Sequence, residues 1–479
     1  MEGFSFARKV FSRASRTVPA YRTLLHRAGV RESQIRHPRD FSQVPIIDKH
    51  SYISKNSIFD LVPEHFTPPL ICASSGSSGK PTFWVLSELQ EQAGTRFHEH
   101  ALYEVLRFDK RKPTLIIDSF SMGVWVAGQF TYSSTRGLNK LGYPVTSVTP
   151  GLDFGDNLNV FNSIAPQFQQ ILLCGYPPFV MDILKELQKQ KIKIPRHTKL
   201  LTAGDKVSEE WRESALDIVS SSDLFHDHVN LYGCADAGAL AFETPLTIFL
   251  RRKSIEHSGL RDLLWGDYKD LPAIFQYKPD WVYFESFNGE LVFTADSAIP
   301  LIRYNLHDLG RIIHVEELHK RLELEGLFSE AEKHGLLDWK FPLLVKGGRT
   351  DVAVTFYALN IYPEHIRFGL ESKKIKKYIT GTFFAYTKSL NRGKEETLHI
   401  EVELKDKVRP SKTITNYIAQ NLFDGLLRTN IEFRKLYNSI GNKVKPRLSL
   451  KPYGIPQSKP ATKALLSKTG KKPKVILPQ

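Results

Sequence analysis

Residues 170–205 read QILLCGYPPFVMDILKELQKQKIKIPRHTKLLTAGD. Two apolar runs, at 170–177 and 199–205, have the length of buried strands, and FVMDILKELQKQ at 179–190 between them has the spacing of a helix. Other segments continue this alternation: the strand-like PTLIIDSF at 113–120 and VNLYG at 229–233, and the helix-like SEEWRESALDIVSSS at 208–222 with Ser208 at its N-cap. The pattern predicts an α/β fold with a mostly parallel sheet and helices on its faces.

The pattern changes over residues 281–313, which read WVYFESFNGELVFTADSAIPLIRYNLHDLGRII. Two alternating apolar segments flank Asn288-Gly289, a dipeptide typical of a two-residue hairpin turn, so we expect an antiparallel part of the sheet here. Beyond Gly347-Gly348, the segment LHIEVELKD at 398–406 alternates like a strand with one exposed face. We therefore predict three parts: a large domain over 1–347, a small α+β domain over 348–450 and a basic tail over 451–479.

The composition limits the class of protein. Of 479 residues, 41% are hydrophobic and 24% charged, so the chain can bury a large core. It has no run of about 20 apolar residues, so no membrane span is expected. Three cysteines are too few for a disulfide framework or a four-ligand zinc site. The first 22 residues lack a continuous apolar region, and we favour an amphipathic helix over a mitochondrial presequence there. A cytoplasmic, soluble protein is the expectation.

The charge is strongly basic. Lysine and arginine outnumber aspartate and glutamate by 66 to 51, a net charge of +15. Such a balance favours anionic partners: nucleotides, coenzyme A, nucleic acid or an acidic carrier protein. From Lys443 to the end, every charged residue is basic. No aromatic residues interleave with these lysines in the pattern of a nucleic-acid reader, so we expect no dedicated nucleic-acid binding.

A loop rich in serine and glycine, ASSGSSGKPTFW at 73–84, follows an apolar segment. Its backbone N–H groups and hydroxyls can surround phosphate oxygens, and Lys80 adds positive charge. The loop is not a Walker A motif, because only two residues separate Gly76 from Gly79 and Pro81 follows the lysine. A flexible turn is the alternative for such a loop taken alone.

This loop resembles the phosphate-binding loop of the adenylate-forming superfamily, which includes acyl-CoA synthetases, peptide-synthetase adenylation domains and luciferases. The segments VPAYRTLLHRAGV and DFSQVPIIDKHSY at 40–52 resemble its phenylacetate-CoA ligase-like branch. The resemblance implies a large, multi-layered α/β adenylation domain at the amino end and a smaller, mobile α+β domain at the carboxyl end. It also implies that the following residues bind phosphate: Ser74, Ser75, Gly76, Ser77, Ser78, Gly79, Lys80 and Thr82.

Two central segments are similar to further motifs of the superfamily. In LLTAGDKVSEEWRE at 200–213, the resemblance places Gly204 and Asp205 along the adenine, although any strand-to-helix turn needs similar residues. In NLYGCADAGAL at 230–240, it implies that Tyr232 and Gly233 contact adenine. Asp236 stands where the superfamily has a glutamate that holds Mg²⁺, and a buried structural acid is the alternative. Ala235 replaces a threonine.

Two later segments complete the resemblance. PLIRYNLHDLGRI at 300–312 is the most specific match, and it assigns Asp308 to the ribose hydroxyls, with His307 in place of a glycine. VKGGRTDVAVTFYALNIYPEHI at 345–366 assigns Arg349 to the ribose and Asp351 to the hinge. Ala358 replaces the glycine that lines the thiol tunnel. In the tail, Lys471 is the first choice for the catalytic lysine, before Lys472 and Lys463.

The resemblance implies ATP-dependent activation of a carboxylic acid to an acyl-adenylate, and then transfer to coenzyme A. Lys80, Asp236 and Lys471 would be catalytic, with ATP, Mg²⁺ and coenzyme A as cofactors. An apolar acid, aromatic or fatty, is expected if the following residues line its pocket rather than simply fill the core: Phe120, Met122, Trp125, Tyr176 and Ala237 to Ala239. Transfer to a carrier protein or an amine, and a degenerate nucleotide-binding protein, are the alternatives. The sequence leaves the oligomeric state open, a dimer included.

Overall fold

A computed structural model describes residues 3–74, 82–266, 272–349, 354–370, 373–391, 395–454, 464–467 and 474–476. Across these ranges, no helix is both long and apolar enough to cross a membrane. The first part of the chain contains these helices and strands in order: α1 Phe4–Thr17, α2 Pro19–Ala28, α3 Ile58–Leu61, β1 Leu70–Ser74, β2 Thr82–Leu86, α4 Glu88–His100, β3 Thr114–Asp118, α5 Val126–Lys140, β4 Val145–Val148, α6 Phe154–Ser163, β5 Gln170–Gly175, α7 Pro177–Lys189, β6 Thr198–Ala203, α8 Glu209–Ile218, β7 His228–Cys234, β8 Gly238–Phe242, α9 Pro245–Lys253, α10 Ser258–Trp265, β9 Ala273–Gln276, β10 Val282–Phe287, β11 Glu290–Ala295, β12 Leu301–Ile313, α11 Val315–Leu324, α12 Phe328–Lys333 and β13 Leu343–Arg349.

An eleven-stranded mixed sheet forms the centre of this first part, in the order β10-β11-β12-β13-β9-β8-β7-β6-β5-β3-β4. The α/β fold class is confirmed. The strands from β4 to β7 are parallel to one another, but all pairings from β7 to β10 are antiparallel. The prediction of a mostly parallel sheet holds for β4 to β7 but not for the sheet as a whole, and the antiparallel part predicted over 281–313 is confirmed. Short connections join β7 to β8, β10 to β11 and β11 to β12, whereas helices α9 and α10 lie between β8 and β9, and α11 and α12 between β12 and β13.

Two local predictions are confirmed where the chain changes direction. Asn288 and Gly289 both have positive φ, 50° and 78°, and they form a two-residue loop in which Phe287 of β10 pairs with Glu290 of β11. Helix α8 begins after Ser208, whose side chain accepts a hydrogen bond from the Trp211 backbone N–H at 3.1 Å. Both follow from local chemistry, because these residue types satisfy the turn and the helix end by themselves.

The amino-terminal helices pack on the antiparallel half of the sheet. Phe11 of α1 contacts Phe41 edge to face at 6.0 Å, and Phe41 contacts Tyr283 of β10 at 5.9 Å. The segment after Phe41 then joins β12, where the Asn305 backbone N–H donates to the carbonyl of Ile47 at 2.8 Å. This junction carries the next two residues, Asp48 and Lys49, to the edge of the candidate site.

The remaining described elements form a smaller α+β unit. They are β14 Val354–Phe356, β15 Leu359–Ile361, α13 Pro363–Leu370, α14 Lys373–Lys376, β16 Ile379–Leu390, β17 Glu395–Leu404, α15 Lys412–Thr429, α16 Ile431–Ile440, β18 Arg447–Lys451, β19 Ala464–Ser467 and β20 Lys474–Ile476. A five-stranded sheet runs β18-β17-β16-β19-β20, and β14 pairs with β15 as a separate hairpin. Buried apolar residues of β16, β17, α13 and α15 form its core.

Two glycines allow α13 and α15 to cross closely. A Cβ added to Gly425 of α15 would lie 2.5 Å from the Cα and 2.6 Å from the backbone nitrogen of Gly369 in α13. Because both obstructing atoms belong to backbone, a rotamer change cannot relieve the clash.

We predict that Gly425→Ala destabilises the smaller unit by about 1–3 kcal/mol, since the helices must separate to admit the methyl group. Calorimetric unfolding should show a lower transition temperature. The matched control is Gly155→Ala in α6, where an added Cβ would have its nearest neighbour at 3.5 Å. The control should leave the transition unchanged or raise it. Equal stability of Gly425→Ala and the wild type would contradict the close crossing.

Candidate active site

Asp308 lies at the centre of a buried polar cluster between the two halves of the sheet. Its side chain is 2% exposed. The Tyr232 hydroxyl donates to Asp308 Oδ2 at 2.6 Å, and Lys346 Nζ lies 3.2 Å from Oδ1. Lys346 also lies over the Tyr232 ring, 5.6 Å from its centroid. The carboxylate is thus held between a neutral donor and a cation, an arrangement that fixes its orientation.

This cluster requires a curled sheet. Tyr232 is on β7 and Asp308 is on β12, four places away in the strand order. Neighbouring strands are about 4.8 Å apart, so a flat sheet would separate them by roughly 19 Å. The two side chains nevertheless share a hydrogen bond of 2.6 Å. Curling of the antiparallel half therefore brings the end of β7 against β12.

Asp236 forms a second cluster beside the first. The Tyr304 hydroxyl donates to Asp236 Oδ2 at 2.6 Å, and Lys49 Nζ lies 3.9 Å from Oδ1. Lys49 also donates to the Ser74 hydroxyl at 3.4 Å, and Trp84 Nε1 donates to the same oxygen at 2.9 Å. Lys49 thus links the predicted metal ligand to the first residue of the predicted phosphate loop.

Sequence reasoning did not identify Lys49 as a site residue. Its signal was the segment DFSQVPIIDKHSY, which carried a family resemblance but no role for the lysine. Asp48 beside it accepts a hydrogen bond from the Ser51 backbone at 2.6 Å. Burial acts to raise the pKa of Asp48, but hydrogen bonds from Ser51 and His50 and the nearby charge of His307 together hold that pKa below its usual value. His307 lies beside this carboxylate, with Nε2 3.6 Å from Asp48 Oδ2.

The predicted adenine turn follows β6. Gly204 has a φ of 92°, a left-handed conformation that favours glycine. The Asp205 carbonyl accepts a hydrogen bond from Asn230 Nδ2 at 3.0 Å, and the Lys206 backbone N–H donates to Asp205 Oδ1 at 2.7 Å. A Cβ added to Gly204 would lie 2.8 Å from the methyl group of Ala358. Gly204 therefore leaves the room that the β14–β15 hairpin occupies.

That hairpin docks the smaller unit onto the first. Its two turn residues, Tyr357 and Ala358, have φ of 49° and 61°, a conformation that costs a non-glycine residue about 1–2 kcal/mol. The Tyr357 hydroxyl donates to Asp182 Oδ2 at 3.0 Å, and its backbone N–H donates to Glu396 Oε2 at 2.7 Å. Lys443 Nζ donates to Asp182 Oδ1 at 3.3 Å. These contacts hold the turn in its strained conformation.

No sequence-family model matches the chain, and no curated protein matches it. Among solved structures, the chain is similar to 2-hydroxyisobutyryl-CoA ligase in complex with 2-HIB-AMP and CoA in the thioesterification state. The identity is 14%, the match covers 95% of this chain and 87% of that chain, and the TM-score is 0.66. The chain has the adenylate-forming fold.

Two further structures give lower scores. The same ligase in the postadenylation state with R3-HIB-AMP has a TM-score of 0.53, at 14% identity over 95% of this chain and 86% of that chain. The amide bond synthetase McbA from Marinactinospora thermotolerans has a TM-score of 0.47 and an identity of 12%, and the match covers 87% of this chain and 73% of that chain.

Within this fold, several predicted site residues lie together, and others lie outside the described ranges. Ser74 and Thr82 pair opposite each other on β1 and β2, so the two ends of the predicted phosphate loop are adjacent. Arg349 pairs with Asp308 through the β12–β13 backbone register, and Gly233 follows Tyr232 on β7. These predicted residues lie outside the described ranges: Ser75, Gly76, Ser77, Ser78, Gly79, Lys80, Asp351, Lys463, Lys471 and Lys472.

The residues predicted to line an acid pocket lie at the carboxyl ends of the parallel strands. Phe120 and Tyr176 follow β3 and β5, are both buried, and meet edge to face with ring centroids 5.0 Å apart. Trp125 is buried beside β1, and Lys435 of α16 lies over its ring at 5.6 Å. The end of a parallel sheet is where α/β folds of this kind bind ligands.

We predict that docking of the smaller unit weakens as the pH rises. Burial raises the pKa of Glu396 well above its usual value, and the nearby charge of Asp205 adds to the shift. Burial also raises the pKa of Asp205, although Lys206 and Lys346 oppose this. Above about pH 4–5, a carboxyl exposed to water has lost its proton, but Glu396 and Asp205 in the docked state still retain theirs. Docking therefore takes up protons. It becomes less favourable as the pH rises through the raised pKa values.

Small-angle scattering or inter-domain energy transfer from about pH 5 to about pH 8 would measure this. Glu396→Gln keeps an acceptor for the Tyr357 N–H and should flatten the dependence. Glu395→Gln, which changes the exposed neighbour, should retain it. An identical pH dependence in Glu396→Gln and wild type would refute the assignment.

Proposed function

We propose that the protein activates a small carboxylic acid with ATP, forming an acyl-adenylate and pyrophosphate, and then transfers the acyl group to the thiol of coenzyme A. The observation that carries this proposal is the pair of clusters around Asp308 and Asp236, which lie at the curled junction of an adenylate-forming fold. Within that fold we favour the phenylacetate-CoA ligase-like branch, with the activity located in the cytoplasm. We propose residues 1–347 as the adenylation domain, 348–450 as the mobile domain and 451–479 as the basic tail, whose strands β19 and β20 pair with the sheet of the mobile domain.

The first step needs little acid–base chemistry, because a carboxylate is already anionic at pH 7. A carboxylate oxygen attacks the α-phosphorus, the bond from that phosphorus to the bridging oxygen breaks, and pyrophosphate leaves. The site must therefore bring negative charges together and hold them in line. In this proposal, Asp308 accepts hydrogen bonds from the ribose hydroxyls, and Tyr232 and Lys346 keep its carboxylate in position.

Lys49 and Asp236 serve the phosphates in this proposal. Lys49 donates to Ser74 at the start of the predicted loop, so its ammonium group is placed to offset phosphate charge. Among the residues that the structure describes, no three His, Cys, Asp or Glu side chains gather into a metal site. One carboxylate completed by substrate phosphates is, however, the usual way of binding Mg²⁺, so Asp236 fits that role. Mg²⁺ bound there would supply Lewis-acid stabilisation of the phosphate oxygens. Lys80 and Lys471 keep their proposed catalytic roles.

The acid is proposed to be apolar, because buried aromatic side chains surround the ends of β3 and β5. A second acceptor class, an amine or the thiol of an acidic carrier protein, is favoured by two observations. The methyl group of Ala358 faces the Gly204 turn, and a Cβ added to Gly204 would lie 2.8 Å from that methyl group. A pantetheine arm reaching the acyl group past this turn would have little room, which favours a small amine acceptor, whereas the basic tail is what favours an acidic carrier protein.

The test of the function is acid-dependent ATP–pyrophosphate exchange with aromatic, fatty and amino acids. We expect exchange with one class of acid. Asp308→Asn should raise the KM for ATP by about 10- to 100-fold, because a hydrogen bond to a charged group is lost. Asp217→Asn on the exposed face of α8 is the control and should behave as wild type. Absence of exchange with every acid, despite ATP binding, would favour a degenerate nucleotide-binding protein.

A separate prediction concerns Lys49. Lys49→Met retains most of the side-chain length but removes the charge beside Asp236 and Ser74. We expect kcat for exchange to fall at least about tenfold, as when one electrostatic donor to a transition state is removed. Lys55→Met, which alters an exposed lysine six residues further on, controls for the loss of one positive charge. Equal losses in the two variants would show that Lys49 acts only through net charge.

A further inference from the structure

A continuous chain of buried polar side chains lies behind the Gly204–Asp205 turn. Arg212 Nη1 is 2.6 Å from His228 Nδ1, and His228 Nε2 is 2.8 Å from the Thr202 hydroxyl. That hydroxyl is 2.9 Å from Asn230 Oδ1, and Asn230 Nδ2 is 3.0 Å from the Asp205 carbonyl. All four side chains are 0–1% exposed. These hydrogen-bonded side chains thus connect the core of the domain to the turn without a break.

The direction of every hydrogen bond in this chain follows from its first member. A guanidinium group only donates, so His228 Nδ1 must accept and the imidazole proton must be on Nε2. Nε2–H then donates to Thr202, which leaves the threonine proton to donate to Asn230 Oδ1. The amide NH₂ of Asn230 must therefore face the Asp205 carbonyl. Burial and the charge of Arg212 also hold the pKa of His228 well below its usual value, so the ring stays neutral.

Arg212 is itself held by buried carboxylates. Its Nη2 donates to Glu243 Oε2 at 2.7 Å, and its Nε donates to Glu209 at 3.3 Å. The Asn230 backbone N–H donates to the same Glu243 oxygen at 3.0 Å. Arg251, which pairs with Glu243, donates to the Val207 carbonyl. Two carbonyls of the segment 204–207, those of Asp205 and Val207, are thus bound to one ion-pair network.

We propose that Asn230 is the positioning residue of the Gly204–Asp205 turn, and that Arg212 sets the orientation of its amide through His228 and Thr202. The inference rests on the proposed function, in which this turn lies along the adenine of ATP. Asn230 touches no reacting atom in this proposal. It acts by keeping the turn in the shape that receives the base, so its loss should affect nucleotide affinity rather than the rate of the chemical step.

The experiment removes one hydroxyl from the chain. Thr202→Val deprives both His228 and Asn230 of their partner at nearly constant volume, and Thr202→Ser restores the hydroxyl. The matched control is Thr198→Val on the same strand, because Thr198 is 2% exposed and its hydroxyl donates to the Pro195 carbonyl at 2.7 Å, outside the chain. Hydrogen exchange of residues 203–207 reports the turn, and KM for ATP and kcat in pyrophosphate exchange report its use.

We expect Thr202→Val to speed amide exchange in the turn and raise KM for ATP by about five- to tenfold with kcat within about twofold, a change equivalent to one lost hydrogen bond. Thr202→Ser and Thr198→Val should match wild type in both measurements. Unchanged amide exchange in Thr202→Val would overturn the proposal that the hydrogen-bonded side chains from Arg212 to Asn230, the relay, hold the turn, whatever the activity. Faster exchange with a fall in kcat alone would overturn the nucleotide-positioning role. Failure of the wild type to bind ATP would instead refute the proposed function, and the amide exchange would still decide whether the relay holds the turn.

Discussion

The site depends on burying the carboxylate of Asp308 between Tyr232 and Lys346. A carboxylate excluded from water is costly unless it is paired and hydrogen-bonded. Here Lys346 comes from β13, the neighbour of β12, but Tyr232 comes from β7, four places away in the strand order. The sheet can satisfy the carboxylate only by curling. The same curl brings Tyr304 against Asp236, and the bridge from Ile47 to β12 brings Lys49 to the same place.

The Gly204–Asp205 turn has a buried ion-pair network on one side and the β14–β15 hairpin of the smaller unit on the other. Behind the Gly204–Asp205 turn, a fully buried ion-pair network fixes the backbone from the core of the large domain. In front of the turn, the contact is made by two strained turn residues of the smaller unit and by carboxyls whose pKa values burial raises. Strain and raised pKa values both make docking less favourable, which suits the proposed two-step reaction, in which this contact would form and break.

Sequence reasoning succeeded where the chemistry is local. The Asn288-Gly289 turn and the Ser208 cap are each determined by two or three consecutive residues, and both were predicted correctly. The antiparallel direction of β10, β11 and β12 was also predicted correctly. The pairing of β13 with β9 was not predicted, because it joins segments about 70 residues apart and leaves no periodic signal. The bond between Tyr232 and Asp308 spans 76 positions. Their motifs suggested a shared ligand, but only the fold shows that they touch. Lys49 was missed for the same reason, since its partners Ser74 and Asp236 come from elsewhere in the chain.

The join between the amino-terminal segment and β12 also has a consequence for synthesis on the ribosome. Arg303 donates to the Val44 carbonyl across 259 positions of sequence. At about 5–20 residues per second, the first helices therefore wait roughly 13–50 s before their strand partners emerge. During that interval the apolar faces of α1 and α2, with Phe11 and Tyr21, have no sheet to cover them. The nascent chain thus exposes this apolar surface while most of the large domain is still being synthesised.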